Sequence, residues 1–245
     1  MFWFKFHNVS SVFLTAEWRK LIMTNYAVDP ACLKPYLPLH TELDLRDGTC
    51  YVSLVGFMFL NTRLKGFKIP FHSDFEEVNL RFYVRFKEEG EWKRGTVFIK
   101  EIVPKPAIAF VANTIYGEKY ETRPMRHSLI EQDHTQILEY AWKNKTWNSI
   151  HVKAGKELLN MGIGSEEEFI LEHYWGLSKG KNHTTITYGV EHPRWQIYQI
   201  LESTIEVNFE DNYGRAFASL QHQKPESVFL AEGSEVLIRD RRLLT

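Results

Sequence analysis

The sequence predicts a mainly antiparallel β protein of the α+β class, barrel-like or built of two packed sheets, with a few short helices. Three observations carry this. Residues 75–86 alternate between apolar and polar side chains with a period of two. The run from Gly95 to Val103 returns across a charged turn containing Gly90, as the second arm of a hairpin. Shorter runs of the same kind recur along the rest of the chain, with few helix signals between them.

Taken in order, Leu21 to Val28 reads as a strand. Asp29-Pro30 then opens a short helix, with an N-cap oxygen followed by proline at the first helical position. Leu33 and Leu37 would face the core, and Pro38 stops the helix. Cys50 to Leu60 is apolar on both faces, as in a central strand covered on both sides, with Ser53 and Gly56 as its soft points. Ala107 to Ala112 fits strand or helix. Gln136 to Lys143 and Trp147 to Val152 read as strands around Asn144-Lys145. Ser165 to Glu168 is a capping box for a helix running into Phe169 and Ile170. Thr184 to Val190, Ser203 to Phe209 and Arg215 to His222 read as strands, the last two separated by a turn at Asn212 to Gly214. No repeat or linker interrupts the chain, so a single domain over 1–245 is expected, with 1–17 as an N-terminal extension.

The strand from Phe75 carries the candidate site. Val78, Leu80, Phe82, Val84 and Phe86 share one face; Glu77, Asn79, Arg81, Tyr83 and Arg85 share the other. Aligning the apolar faces of the hairpin brings Val97, Ile99 and Val103 to the first set and Lys100 to the second. A carboxylate, an amide, a guanidinium, a phenol and an ammonium together would orient a small anionic or carbonyl ligand. The alternative is a solvated face of weak cross-strand ion pairs. Adjacent Glu76 and Glu77 point to opposite faces and form no carboxylate pair.

Composition narrows the classes. A chain of 245 residues can bury about 70–75% of its unfolded surface, enough for one large core. With 30 basic and 31 acidic residues and no long charge block, nothing points to nucleic acid. Cys32 and Cys50 lack metal-site spacing and are too few for a disulfide framework, so reduced thiols in the cytoplasm and no metal are expected. Met1 to Leu14 lacks the cleavage signal of a signal peptide. No run reaches the roughly 18 apolar residues of a membrane span, so no membrane partner is expected. His173 to Gly176 and Glu191 to Trp195 place histidine and aromatics near strand ends, where they line a pocket mouth or close a core. No phosphate loop or nucleophile-elbow serine is present.

Several spaced motifs carry a family resemblance. Tyr26 to Pro30 with Leu33 and Leu37-Pro38, Phe75 to Val84, Phe98 to Pro104 and Tyr116 to Tyr120 are similar to the YqjF-like family of uncharacterised proteins. Glu172 to Gly176, Glu191 to Trp195 and Pro225 to Ser234 match it too, so the resemblance runs from about Trp18 onward. That family resembles acetoacetate decarboxylase in fold, which implies a curved β-barrel or double-sheet domain enclosing a pocket. The decarboxylase works through a Schiff-base lysine after a Gly-aromatic-Pro-Lys-Lys signature, and is a standard example of an activated lysine. The corresponding stretch here, Val111 to Tyr120, lacks that signature; its nearest lysine, Lys119, is out of step by one residue, which on an extended chain reverses its direction.

The expected function is binding of a small organic carboxylate or carbonyl compound, without a cofactor. Arg81 would hold the carboxylate and Glu77 would orient it or exchange a proton, with Asn79, Tyr83, Tyr116 and Lys119 in the binding set and Lys100 beside Glu77 as a catalytic candidate. The alternatives are lysine-dependent chemistry on a small oxo acid, through Lys100 or Lys119, and a non-catalytic domain. Oligomeric state is not legible.

Overall fold

The structure, a computed structural model, describes residues 11–244. The strands are β1 (Val12–Ala27), β2 (Thr41–Leu43), β3 (Tyr51–Leu64), β4 (Phe67–Lys68), β5 (Phe75–Glu88), β6 (Glu91–Val103), β7 (Tyr120–Thr122), β8 (Met125–Glu131), β9 (Thr135–Lys143), β10 (Trp147–Asn160), β11 (Trp175–Lys179), β12 (Thr185–Glu191), β13 (Gln196–Glu206), β14 (Ser227–Arg239) and β15 (Arg242–Leu244). Helices are few and short: α1 (Pro106–Tyr116), α2 (Glu166–Leu171), α3 (Phe209–Tyr213) and three 3-10 segments.

Strands β12-β11-β6-β5-β3-β1-β14 are neighbours in that order, and a further β12–β14 pairing closes them into a ring. Beyond β14 the sheet continues through β13, β10, β9 and β8 and forms a second layer. Val78, Leu80, Phe82, Val84 and Phe86 on the outer face of β5 share a core with Leu138, Tyr140, Trp142, Ile150 and Val152 of that layer. Gly56 on β3 permits the close approach: a Cβ there would lie 2.6 Å from Ile150 Cδ1 and 3.0 Å from Tyr140 Cδ2. The inner face carries a separate core, in which Val55, Phe57, Phe75 and Tyr83 meet Ala109 of α1 and Ile170 and Leu171 of α2.

Local chemistry explains the short elements. Asp29 caps Pro30–Cys32 by accepting the Ala31 N–H at 2.8 Å, as its sequence requires. Ser165 accepts the Glu168 N–H at 3.2 Å, and Glu168 reaches back to the Gly164 N–H. The open assignment at Ala107 resolves as helix α1, with Pro106 in its first turn and Gly117 in the left-handed conformation after it.

Three expectations are corrected. Strand β1 begins at Val12 and pairs with both β3 and β14, so residues 12–17 belong to the sheet and not to an extension; Met1 to Ser10 lie outside the described residues. Arg215 to His222 is a 3-10 helix, and Phe209 starts α3. Asn208 caps α3 through the Asp211 N–H at 2.9 Å, and Phe217 and Leu220, three apart, are the residues buried next. That spacing is helical, not alternating. The third correction concerns the hairpin: β5 and β6 pair antiparallel with Val78, Leu80, Phe82, Val97 and Ile99 in one core, as expected, but a β-bulge intervenes. Arg81 pairs with Phe98 and Leu80 with Lys100, leaving Ile99 as the extra residue. Past a bulge the alternation reverses, so Lys100 turns to the outer face, Glu101 to the inner face opposite Asn79, and Val103 joins the inner core.

Candidate functional site

The polar stripe of β5 faces the inside of the ring. Glu77 is 2% exposed, Asn79 1% and Tyr83 1%; Arg85, at the end of the stripe, is exposed and pairs with Glu42. Glu76 points the other way and meets His127 Nδ1 at 2.7 Å.

At the Phe75 end, Glu77 Oε1 accepts from Asn79 Nδ2 at 2.8 Å and its Oε2 accepts from Tyr120 Oη at 2.9 Å. Two further carboxyls surround it. The bulge delivers Glu101, and the extended chain after α1 delivers Glu118, whose Oε1 accepts from Tyr188 Oη at 2.7 Å. Three buried carboxyls cannot all ionise. Burial pushes Glu77 up to about 7, against the hydrogen bonds from Asn79 and Tyr120 and the charge of Arg81. Burial pushes Glu118 up to about 8, with Glu77 adding repulsion. Glu101 is raised well above 4.5 by burial and then by the charges of Glu118 and Glu77, and its Oε2 has no hydrogen-bond partner.

Farther along, Arg81 packs against Tyr83, with Cζ 5.8 Å from the ring centroid. Its Nε–H is buried without an acceptor, and no ion pair to it forms among the described residues. Glu77 and Arg81 are thus on one face without direct contact, as a separation of about 13 Å along a strand requires. Tyr83 Oη lies 2.6 Å from Ser53 Oγ, which donates to Asn25 Oδ1 at 2.5 Å. The His173 ring lies over Tyr83, centroids 4.5 Å apart, with Nε2 3.3 Å from Asp44 Oδ2; Arg94 Nε also donates to that oxygen, at 2.6 Å. Burial drives His173 down to about 4 despite Asp44, so the ring is neutral. His192, stacked on Trp195 at 4.1 Å, is likewise lowered to about 4 by burial.

Two clefts open near the ends of β5, and neither is lined by Glu77, Asn79, Arg81 or Tyr83. A wide cleft of about 1460 Å³ is lined by Asp44, Arg94, Phe169, Tyr174 and His192. An apolar cleft of about 130 Å³ lies between α1 and the ring, with Phe75, Glu118, Tyr120 and Tyr188 in its wall. The arrangement offers a guanidinium seeking an anion and a carboxyl able to exchange a proton near neutrality.

The remaining sequence candidates are elsewhere. Lys100 pairs with Glu121 at 2.7 Å on the outer face, away from Arg81. Lys119 occupies an exposed position with Nζ 4.7 Å from the Tyr36 ring, while its neighbours Glu118 and Tyr120 turn inward. Tyr116 is buried between Phe13 and Tyr188 and donates to the Arg239 carbonyl at 3.2 Å, in the wall of the apolar cleft. Glu101, Glu118, Tyr120 and Tyr188 were not singled out from the sequence. The spacing of Glu118 and Tyr120 by two on an extended chain is the one signal that places them together. Among the described residues no group of His, Cys, Asp and Glu has metal-binding geometry. No described helix is long and apolar enough to cross a membrane.

The sequence profile of the DUF2071 family, described as an uncharacterized conserved protein, matches residues 15–235, and the chain belongs to that family. The uncharacterized protein YqjF of Bacillus subtilis (strain 168) is 24% identical over 197 residues, covering 78% of this chain and 77% of that protein. In fold the chain is similar to acetoacetate decarboxylase from Legionella pneumophila, with a TM-score of 0.61, 12% identity and coverage of 98% of this chain and 91% of the other. An acetoacetate decarboxylase-like enzyme from Sphingomonas wittichii RW1 gives a TM-score of 0.65 at 10% identity, covering 98% of both chains. The enduracididine biosynthesis enzyme MppR, complexed with pyruvate, gives 0.64 at 11% identity, covering 98% of this chain and 92% of that one. The acetoacetate decarboxylase-like fold is therefore established for this protein.

Proposed function

We propose that the interior stripe of β5 binds a small organic carboxylate or oxo acid, with Arg81 holding the carboxylate and Glu77 orienting the ligand or exchanging a proton with it. The observation that carries this reading is the buried Nε–H of Arg81, which has no acceptor within the protein. A buried N–H without an acceptor is costly, and a ligand carboxylate relieves that cost with a charge-assisted hydrogen bond. Glu77, raised to about 7, carries a transferable proton at neutral pH. Asn79 fixes the Glu77 carboxyl and Tyr83 braces Arg81. A neighbour of the same fold is complexed with pyruvate, which supports the ligand class.

The test is a thermal-shift panel of small carboxylates that includes pyruvate and acetoacetate. At least one should raise the melting temperature of the wild type, and the rise should vanish in Arg81→Met. A panel without any rise, or a rise retained in Arg81→Met, overturns the reading. A second reading, lysine-dependent chemistry, draws on Lys119, whose ammonium is lowered by partial desolvation of its charged end and by nearby Lys179. Borohydride trapping with oxo acids separates the two: covalent labelling lost in Lys119→Ala favours the lysine, and no labelling favours Arg81.

A further inference from the structure

We propose that the protrusion between β3 and β5 is a docking surface for an anionic lipid membrane. Residues 62–73 form a closed unit: the Thr62 N–H donates to the Ser73 carbonyl at 3.0 Å across its base, and the His72 N–H donates to the Ile69 carbonyl at 3.1 Å near its tip. The β3–β4 turn places Lys65 and Gly66 at φ 48° and 84°, the mirror-image turn that matches strand twist. From this unit Phe67 is 77% exposed, Phe71 88% and Ile69 39%. Phe71 also holds a left-handed backbone at φ 64°, which a bulky residue adopts only under constraint. The fold thus spends strain to aim an aromatic ring at solvent.

Charge distinguishes this surface from an ordinary apolar patch. Arg63, Lys65 and Lys68 alternate with the exposed apolar residues, no acidic residue occurs between 62 and 73, and none of the three cations is paired with a described residue. The apolar cleft separates the protrusion, through Ile69 and His72, from α1, through Ala107 and Ile108. Lys105 precedes that helix. Aromatic tips on the protrusion, flanked by cations, match a lipid interface, where rings enter the headgroup layer and Lys and Arg meet phosphates. The absence of a spanning segment, which argued against a membrane partner, has no bearing on attachment to its surface.

Flotation of the full chain with phosphatidylcholine vesicles, with and without phosphatidylglycerol, tests the proposal. Binding to the anionic vesicles alone is expected. Lys65→Ala and Lys68→Ala should each weaken it by about fivefold, and Phe67→Ser combined with Phe71→Ser should reduce it to background with the melting temperature unchanged. No flotation with anionic vesicles, equal binding to neutral ones, or wild-type binding by Phe71→Ser and Lys68→Ala would each overturn it. Concentration-dependent self-association that Phe71→Ser abolishes, without vesicle binding, would assign the surface to a second copy of the chain and overturn it as well.

Discussion

Glu118→Gln should make the protein more stable at alkaline pH and flatten its pH dependence. In the folded state burial raises Glu118 from 4.5 to about 8 and Glu77 from 4.5 to about 7. The folded protein therefore keeps protons that the unfolded chain releases, and stability falls as pH rises. This contribution is complete below 4.5, is lost progressively as pH climbs through the folded values, and changes no further above about 8. At 1.36 kcal/mol per unit, holding Glu118 alone costs about 3–5 kcal/mol once both states are ionised. The amide cannot ionise, and its oxygen can still accept from Tyr188 Oη, as Glu118 Oε1 does at 2.7 Å. Urea denaturation between about pH 5 and about pH 8 measures the slope directly. His173 and His192, lowered to about 4, oppose this slope below 6.5, so the difference between the two proteins is the measure: Glu118→Gln should gain about 3 kcal/mol or more over wild type from the lower to the upper end of the window. A mutant that runs parallel to wild type in this range would refute the buried carboxyl cluster.

Three other perturbations probe the rest of the framework. Because no ion pair joins Glu77 to Arg81, a double-mutant cycle with Glu77→Gln and Arg81→Met should give a coupling below about 1 kcal/mol in chemical denaturation, and Arg81→Met alone should be neutral or stabilising without ligand. A coupling of about 3 kcal/mol would mean a direct buried pair instead. Asp44→Asn should cost about 2–4 kcal/mol at neutral pH, because Asp44 bonds both Arg94 and His173 while Arg94 still reaches solvent. Burial opposes the Asp44 charge, but the bonds from His173 and Arg94 outweigh it and lower its pKa, so this contribution is present above 3.8 and fades as pH falls through the lowered value. Gly56→Ala should cost about 1–3 kcal/mol in thermal or urea melts, since its Cβ would meet Ile150 at 2.6 Å; a neutral result would mean the two layers are looser than they stand.

The sequence by itself determined the strand-rich class, the Asp29 cap, the capping box at Ser165, the hairpin from Phe75 and the two faces of its first strand. These follow from local rules: alternation every two residues, caps that satisfy orphan N–H groups, turns that need particular backbones. It also separated Glu76 from Glu77, because neighbours on a strand cannot share a face. Whether the polar face was wet or enclosed lay beyond it, since an inward and an outward stripe have the same pattern until the ring closes through β12 and β14. One inserted residue at Ile99 was equally invisible, and it decided that Glu101, not Lys100, stands opposite Asn79. Residues 215–222 form no strand because Phe217 and Leu220, three apart, would fall on opposite faces of one, and Asn208 caps the helix before them. Glu77, Glu101 and Glu118, with Tyr120 and Tyr188, come from strands and loops distant along the chain. Only tertiary structure brings them together, because the inner face of a closed ring is a property of the whole sheet and of no single strand within it.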